Sequence, residues 1–447
     1  MNLPGSLDQA NTFAGLPPEP ITPPRPADVK LVVLDDDPTG TQTVHGVPVL
    51  TRWNEAELAA ELRDPCPVVF LLTNTRALTS DRAVALNRQT GAALRTAARS
   101  TGRRFIAVSR SDSTLRGHFP AETDALAEAL GGVDATFLVP VFFAGGRYTL
   151  GDVHYVADRG RLVPAGLTEF ARDATFGYQS SNLGDWVSEK TSGRVRAEDV
   201  VSISLADLRQ HGASQVAARL DKVPRGGVVM VNAVAPGDLA VLTQALGNAS
   251  LAARRYLFRT AADFVSTYTG IKPRPLLTAD ELREPGSRSG GLLVAGSYVG
   301  KTTEQLALLY RTVPSLERVE LCVPALLETA ARTAEMARAL SAVEAALAAG
   351  LSVALVTSRT LVTLVRALKI RPAWFIAKGG ITSSDLATEA LGVRRAVVLG
   401  QAMPDVPVWS CGHESKWPGF AYTVFPGNVG GPGALSRIIA ELGLPRR

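Results

Sequence analysis

Cysteine is scarce in this sequence. The three cysteines, Cys66, Cys322 and Cys411, are spread over 447 residues. Because they are odd in number and far apart, they form neither a disulfide framework nor a CxxC metal clip. The sequence therefore excludes a disulfide-stabilised secreted scaffold and a zinc ribbon, and it predicts a cytoplasmic location, where thiols stay reduced.

Long apolar runs and a strong charge imbalance are also missing. No apolar stretch reaches the roughly 18 residues that span a bilayer, and no basic region followed by an apolar run indicates a signal peptide. The 47 basic and 42 acidic residues leave a net charge of +5, which over this length is too weak to indicate a nucleic-acid partner. Only 8 of the basic residues are lysines. A lysine in a loop that is suited to bind a ligand is therefore less expected by chance.

What the chain has in abundance is apolar sequence in short, alternating runs. Hydrophobic residues make up 46% of the chain, and its length suggests two or three domains. Residues 1–27 contain seven prolines and little periodicity, which predicts an arm outside the fold. After this arm, strand-like runs such as Lys30–Asp35 alternate with helical patterns such as Asp81–Ser100. This alternation predicts βαβ units and a largely parallel sheet.

The second half repeats the alternation after a polar segment rich in Gly, Pro and Ser, Arg283–Gly290. There we expect a strand over Gly291–Ala295 and one long helix over Leu326–Ala349. The predicted fold class is therefore α/β with two domains, at 28–280 and 288–443. Each is expected to be a mostly parallel sheet flanked by helices, with an active-site cleft between the two domains.

Two polar clusters in the first half follow predicted strands, and open α/β sheets bind ligands beyond the carboxyl ends of their strands. Residues 35–40 read DDDPTG, and adjacent carboxylates need a cation or hydrogen-bond donors nearby. Residues 109–117 read SRSDSTLRG, where an aspartate suits a hydroxyl proton and an arginine fork suits a carboxylate or phosphate. Each cluster has an alternative as the capped start of a helix. Arg147 and His154 are candidates for the same ligand-binding site at the end of the sheet. A lone histidine, however, is as often structural as functional.

Three Gly-rich segments in the second half suit anions. Residues 295–302 read AGSYVGKT and match a loose P-loop pattern, whose amides and lysine hold phosphates. Ala295 replaces the usual first glycine, and no downstream strand ending in aspartate supplies the usual magnesium ligand. Residues 378–382 read KGGIT and residues 426–433 read PGNVGGPG, and their glycines allow close approach to a ligand or simply form turns. The anion-suited Gly-rich segments thus lie in the second half of the chain, and the carboxylate and arginine clusters lie in the first. This distribution favours a nucleotide bound by the second domain and a small acidic substrate bound by the first.

In this order, the motifs resemble the four-carbon acid sugar kinase family. The resemblance rests on the Asp-run opening, DSTLRG at 112–117, the segment Gly296–Gln305, the GG-x-T turn and PGNVG at 426–430. The opening is matched loosely because Pro38 stands between the Asp run and Thr39. The family phosphorylates the terminal hydroxyl of tetronates such as erythronate, threonate or 3-oxo-tetronate with ATP. The last loop reads PGNVGG rather than the family's KSGxFG-like form, which marks a divergent subgroup.

The resemblance and the clusters together define the candidate site residues. Those expected to face the substrate are Asp35, Asp36, Thr39, Gly40, Arg110, Asp112, Ser113, Thr114, Arg116, Gly117 and Arg147. Those expected to face the nucleotide are Gly296, Ser297, Lys301, Thr302, Lys378, Gly379, Gly380, Thr382, Gly427, Asn428 and Gly430.

These residues lead to a kinase hypothesis with named roles. Arg116, with Arg110, holds the substrate carboxylate, and Asp112 or Asp36 accepts the hydroxyl proton. Lysines of the second domain, Lys301 and Lys378, and a Mg²⁺ ion offset the charge that builds on the γ-phosphate. The alternatives are a P-loop NTPase that uses residues 300–302 and a sugar-acid-binding regulator without catalysis. A homodimer is a further expectation.

Overall fold

The computed structural model describes residues 29–158, 160–248, 254–296, 300–356, 361–427 and 429–443. The proline-rich arm predicted for residues 1–27 lies outside the described residues. The strands, in chain order, are β1 Val29–Asp35, β2 Pro48–Leu50, β3 Val68–Leu72, β4 Arg104–Arg110, β5 Ala135–Val139, β6 Arg147–Leu150, β7 Val153–Asp158, β8 Arg161–Pro164, β9 Val201–Ile203, β10 Gly227–Val231, β11 Tyr256–Thr260, β12 Leu292–Ala295, β13 Glu317–Glu320, β14 Val353–Val356, β15 Phe375–Lys378, β16 Arg395–Met403, β17 Val406–Cys411 and β18 Ala421–Phe425.

Helices connect most of these strands. The α-helices are α1 Glu55–Arg63, α2 Ser80–Thr101, α3 Ala121–Ala129, α4 Leu183–Lys190, α5 Gly212–Asp221, α6 Pro236–Leu246, α7 Ala262–Thr269, α8 Ala279–Leu282, α9 Gly300–Thr312, α10 Val323–Leu327, α11 Thr329–Ala348, α12 Leu361–Ala367, α13 Gly380–Asp385 and α14 Ala434–Glu441. Short 3₁₀ turns lie at Thr75–Ala77, Ala165–Leu167, Glu169–Arg172 and Ala197–Asp199, and π-helical turns at Asp207–His211 and Leu386–Ala390. Within the described residues, no helix is long and apolar enough to span a membrane.

The first of two compact units takes in the chain up to Thr43 and Trp53–Lys272. Its central sheet has the order β3-β1-β4-β11-β5-β10-β9, and all neighbouring strands are parallel. Every residue of β1 is buried, as expected for a parallel strand whose two faces are both covered by helices. A small antiparallel sheet, β6-β7-β8, is separate from it. The predicted α/β class is confirmed for this unit.

The second unit contains Val44–Arg52 and Pro273–Arg447. In its sheet, β13, β14, β12, β15 and β18 lie side by side and parallel, and β17, β16 and β2 continue it antiparallel. The core under this sheet includes the fully buried Trp374, Leu293 and Ile376. The sheet is thus mostly parallel with an antiparallel edge, and it forms no closed barrel.

Two features of the second unit differ from the sequence-based expectation. The single helix predicted over Leu326–Ala349 is two helices, α10 and α11, because Glu328 between them is extended, with φ −93° and ψ 123°. Residues 44–52, placed by sequence in the first domain, belong to the second unit, where β2 pairs with β16 through Val49 and Ala396. A three-residue strand carries too little periodic signal to be assigned from sequence.

We predict that Gly291→Ala destabilises the protein. A Cβ at Gly291 would lie 1.7 Å from the Cε2 atom of the buried Trp374, and overpacking a filled core costs roughly 1–3 kcal/mol. Thermal unfolding should show a lower midpoint for this variant. Gly433→Ala is the control, because the nearest atom to its Cβ lies 3.9 Å away. Equal midpoints for the two variants would contradict the prediction.

Candidate active site

Polar loops at the carboxyl edge of the first unit's sheet meet beyond β1, β3, β4 and β11. The amide of Asp36 donates to the carbonyl of Arg110 at 3.1 Å, and the amide of Arg76 donates to the carbonyl of Asp36 at 3.3 Å. The amide of Ser111 donates to the carbonyl of Thr260 at 2.8 Å. Adjacent parallel strands therefore bring the DDDPTG and DSTLRG segments together, as their positions in the sequence predicted.

Arg76 links the two acidic segments. Its guanidinium lies 3.0 Å from a carboxylate oxygen of Asp112 and 3.5 Å from Oδ1 of Asp36, and it pairs with Asp37. The guanidinium is 17% exposed, so these ion pairs are poorly screened by solvent. Arg76 thus supplies positive charge to a run of adjacent carboxylates.

Asp36 stands out among the carboxylates. Its side chain is buried, and neither carboxylate oxygen accepts a hydrogen bond from the residues that the structure describes. Burial raises the pKa of Asp36 to about 7, while the charge of Arg76 opposes the rise. A carboxyl that titrates near neutral pH and has vacant acceptor capacity is suited to take a proton from a bound hydroxyl.

Asp112, in contrast to Asp36, is held in its ionised form. Arg116 contacts both of its carboxylate oxygens, with Nε at 3.0 Å and Nη2 at 3.3 Å, and Arg76 adds a third contact. Although burial acts to raise the pKa of Asp112, these guanidiniums and the Thr114 hydroxyl hold it far below its usual range. Asp112 is therefore a permanent anion that orients two arginines and is a weak proton acceptor.

The DSTLRG loop is fixed through its backbone carbonyls. The carbonyl of Ser113 lies 2.8 Å from Nε2 of His154, and the carbonyl of Thr114 accepts from the Tyr178 hydroxyl at 2.6 Å. Arg259 donates to the carbonyl of Arg116 at 3.0 Å. These three donors are buried, so the loop rests on the core. Burial lowers the pKa of His154 to about 4, which identifies this histidine as a neutral structural support.

Backbone strain marks the same loop. Leu115 has a φ of +68°, a left-handed conformation that leucine seldom adopts,. Its side chain is buried in a cluster with Phe119 and Trp186. This packing supports the strained conformation, in which the chain turns between Asp112 and Arg116.

Three further predicted substrate residues, Arg110, Gly40 and Thr39, lie against Asp35 or Asp37. Arg110 is buried, donates to Gln42 at 2.9 Å and lies 3.8 Å from Asp35. A Cβ at Gly40 would lie 1.9 Å from a carboxylate oxygen of Asp35, which accounts for the glycine. The amide of Thr39 donates to Asp37 at 2.8 Å.

Two further candidates of the first unit lie close to the charged groups. The side chains of Arg116 and Arg147 both approach the ring of Phe170, at 5.2 and 5.7 Å from its centroid. A Cβ at Gly117 would lie 3.5 Å from Oδ2 of Asp36. The structure therefore places Arg116 and Arg147 at the same aromatic ring, and Gly117 beside Asp36.

The Gly-rich segments of the second unit also share one sheet edge. They follow β12, β15 and β18, which are parallel neighbours. The amide of Gly379 donates to the carbonyl of Phe425 at 2.8 Å, and a Cβ at Gly296 would lie 2.4 Å from the Thr382 hydroxyl. Gly380 begins α13. Ser297 and Asn428 lie outside the described residues.

The polar side chains of this edge differ sharply in exposure. Lys378 and Thr302 are fully buried, whereas Lys301, in the first turn of α9, is exposed. Burial, together with the charge of Lys301, lowers the pKa of Lys378 to about 7. The Thr302 hydroxyl donates to the carbonyl of Gly427 at 3.2 Å, so this buried side chain gives no support to a P-loop role.

A metal site built by the protein alone is missing from the described part of the chain. There, no three or more His, Cys, Asp or Glu side chains form a group that could hold an ion. Magnesium bound with a nucleotide takes most of its ligands from phosphate oxygens and water.

Three residues of the first unit's site escaped sequence reasoning: Arg76, Tyr178 and Arg259. Arg76 had a usable signal, because TNTR follows the strand β3 as the acidic run follows β1, and the same strand-end rule applies to both. Arg259 lies inside β11, where a lone arginine in an apolar strand gives no local sign of its partner. Tyr178 is 64 residues from the carbonyl that it contacts.

Each half of the chain matches the model of a known domain family. Residues 31–268 match the description "sugar-binding N-terminal domain", and residues 292–369 and 358–435 match "nucleotide-binding C-terminal domain". The chain belongs to the four-carbon acid sugar kinase family. In the terms of this family, the first unit is the sugar-binding half and the second is the nucleotide-binding half. No curated relative matches the chain.

Solved structures of the same fold exist. A Salmonella typhimurium LT2 protein with the provisional name tRNA synthase aligns with a TM-score of 0.67 and 17% identity, over 93% of this chain and 98% of that one. A Haemophilus influenzae protein from a family of unknown function aligns with a TM-score of 0.64 and 17% identity, over 92% of this chain and 100% of that one. At such identity, these likenesses show the shared fold alone.

We predict that Arg76→Met destabilises the sugar-binding half. Removing one partner from a buried charge cluster leaves uncompensated carboxylates and costs roughly 3–5 kcal/mol. Arg88→Met is the matched control, because Arg88 forms an exposed pair with Glu128 at 3.0 Å, and such pairs contribute about 1 kcal/mol or less. Urea unfolding should separate the two variants. Similar midpoints would show that Arg76 does not neutralise the cluster.

We also predict that Asp36→Asn changes how stability depends on pH. The native pKa of Asp36, about 7, is above the ordinary aspartate value of 3.8, so the native state binds more protons than the unfolded state between these pH values. The stability that Asp36 contributes is therefore lost as the pH rises through about 7. Relative to the wild type, the Asn variant should be more stable at pH 8 than at pH 5, by about 2 kcal/mol.

Urea unfolding at the two pH values checks this prediction, with the exposed Asp81→Asn variant as the control. The control should differ from the wild type by the same amount at both pH values. If Asp36→Asn behaved in the same way, a raised pKa of Asp36 would be excluded.

Proposed function

We propose that this protein transfers the γ-phosphoryl group of ATP to the terminal hydroxyl of a four-carbon sugar acid. The observation that carries the proposal is the buried Asp36 carboxyl in the sugar-binding half, which accepts no hydrogen bond from the described residues and has a pKa of about 7. Such a group is poised to remove a proton from an alcohol at neutral pH.

The charges around Asp36 support a small organic anion as the substrate. Arg116 and Arg147 approach one aromatic ring, and Arg110 pairs with Asp35 in the acidic segment. Guanidinium groups bind carboxylates through two parallel hydrogen bonds. In this proposal Arg116 and Arg147 hold the carboxylate of the sugar acid, and Asp112 keeps Arg116 in place.

The reaction then follows from these positions. The terminal hydroxyl gives its proton to Asp36 as its oxygen bonds to the γ-phosphorus, the bond from that phosphorus to the bridging oxygen breaks, and ADP leaves. Phosphoryl transfer depends mainly on positioning and charge neutralisation. The exposed ammonium of Lys301 offsets charge on the phosphates. A magnesium ion bound with the nucleotide would add further positive charge at the same oxygens.

The test is an ADP-release assay with ATP, Mg²⁺ and a panel of four-carbon sugar acids. We expect release with at least one of them, and we expect Asp36→Asn to lower turnover by roughly 10²–10⁴-fold. Calorimetry should show nucleotide affinity within about twofold of the wild type, because Asp36 belongs to the sugar-binding half. Asp81→Asn is the matched control and should keep full turnover.

Three outcomes would count against the proposal. The absence of ADP release with every acid in the panel would remove the kinase activity. Turnover retained by Asp36→Asn, together with turnover lost in Asp112→Asn, would transfer the role of base to Asp112. ADP release without any acid would favour an NTPase.

A further inference from the structure

Three buried side chains of the nucleotide-binding half donate to one Gly-rich loop, residues 426–431. The ammonium of Lys378 donates to the carbonyls of Pro426 at 2.7 Å and Gly427 at 3.2 Å. The hydroxyl of Thr302 donates to the carbonyl of Gly427 at 3.2 Å. The sequence predicts that both side chains contact phosphate, yet in the structure their donors are directed at protein carbonyls.

Gln305 completes the set. Its side-chain amide nitrogen donates to three carbonyls, those of Val429 at 3.0 Å, Gly430 at 3.2 Å and Gly431 at 3.0 Å. The side chain is fully buried, and its oxygen accepts no hydrogen bond from the described residues. A buried amide that leaves its oxygen unsatisfied in order to serve three carbonyls carries an energetic cost. Its position is therefore better explained by the loop than by core packing.

The geometry of the peptide group gives this arrangement a consequence. In a trans peptide the carbonyl and the amide point in opposite directions. Because the carbonyls of Pro426, Val429 and Gly430 are turned towards Lys378 and Gln305, the amides of the following residues are turned away from them. Those amides belong to Gly427, Gly430 and Gly431. None of the three has a backbone acceptor within the described residues.

We propose that Gln305, Thr302 and Lys378 are positioning residues, a carbonyl clamp that turns the amides of Gly427, Gly430 and Gly431 towards a phosphate group of the nucleotide. Successive amides of a Gly-rich loop form a concavity that suits anions. The amides contact the phosphate, and the clamp acts through them. This inference rests on the proposed function, because it assumes that the bound ligand is a nucleoside phosphate.

The test compares ADP with adenosine, which lacks phosphates, by calorimetry on the full chain. Thr302→Val keeps the shape of the side chain and removes one donor, so ADP affinity should fall by about 3- to 10-fold. Gln305→Glu removes the donor to three carbonyls and brings a carboxylate against them, so ADP affinity should fall by roughly 100-fold or more. Affinity for adenosine should stay within about twofold in both variants, since adenosine does not contact the loop amides.

Matched controls carry the same substitutions at sites outside the clamp. Thr312→Val alters a threonine on the same helix, α9, whose hydroxyl donates to Leu308 within the helix and to Ser436. Gln244→Glu alters an exposed glutamine on α6. Both controls should bind ADP as the wild type does. Thermal unfolding identifies any variant that has not folded, and Thr302→Val remains informative if Gln305→Glu fails to fold.

The outcomes distinguish failure of the carbonyl clamp from failure of the proposed function. A wild-type protein that binds neither ADP nor adenosine contradicts the proposed function itself. A wild-type preference for ADP that survives Thr302→Val and Gln305→Glu unchanged overturns the clamp alone. An equal loss of ADP and adenosine affinity would also overturn the clamp, because it would indicate general disruption of the nucleotide-binding half. Selective loss of ADP affinity supports it.

Discussion

The structure depends on how backbone carbonyls beyond the strand ends are satisfied. In the sugar-binding half, buried His154, Tyr178 and Arg259 contact successive carbonyls of the DSTLRG loop. In the nucleotide-binding half, Lys378 and Gln305 do the same for the Gly-rich loop. Buried polar groups must be paired, so these donors determine which way each loop faces. The side chains of each loop can contact a ligand only once these buried donors have oriented the loop backbone.

A second constraint is the balance of charge in the sugar-binding half. Consecutive carboxylates would repel one another, and Arg76, Arg110 and Arg116 divide them into states with different proton affinities. The carboxyl with two close arginine partners, Asp112, stays ionised, whereas burial raises the pKa of Asp35 to about 8 and that of Asp36 to about 7. The same arginine network therefore keeps Asp112 as an anion close to Asp36, the candidate base.

Sequence patterns predicted much of this arrangement, and the limits of that prediction have physical causes. The parallel strands and the loops after β1, β4, β12 and β15 follow from apolar runs and glycine positions. Periodicity carries no information about contacts made across long sequence separations, such as Gln305 with Gly430 or Arg259 with Arg116. For the same reason, the residues next to Lys378 in the sequence predict that it contacts phosphate. In the structure it donates to carbonyls of residues 48 and 49 positions later in the chain.

The strand β2 has a consequence for how the two halves can be separated. Its residues come from the first part of the chain, between Thr43 and Trp53, yet its partner β16 belongs to the second unit. The polypeptide thus passes between the units three times rather than once. A fragment beginning at Pro273 would lack this strand and leave a bare sheet edge prone to association. Neither half is therefore one continuous segment of the chain. Replacing the second half by that of a relative would require residues 44–52 to be replaced as well.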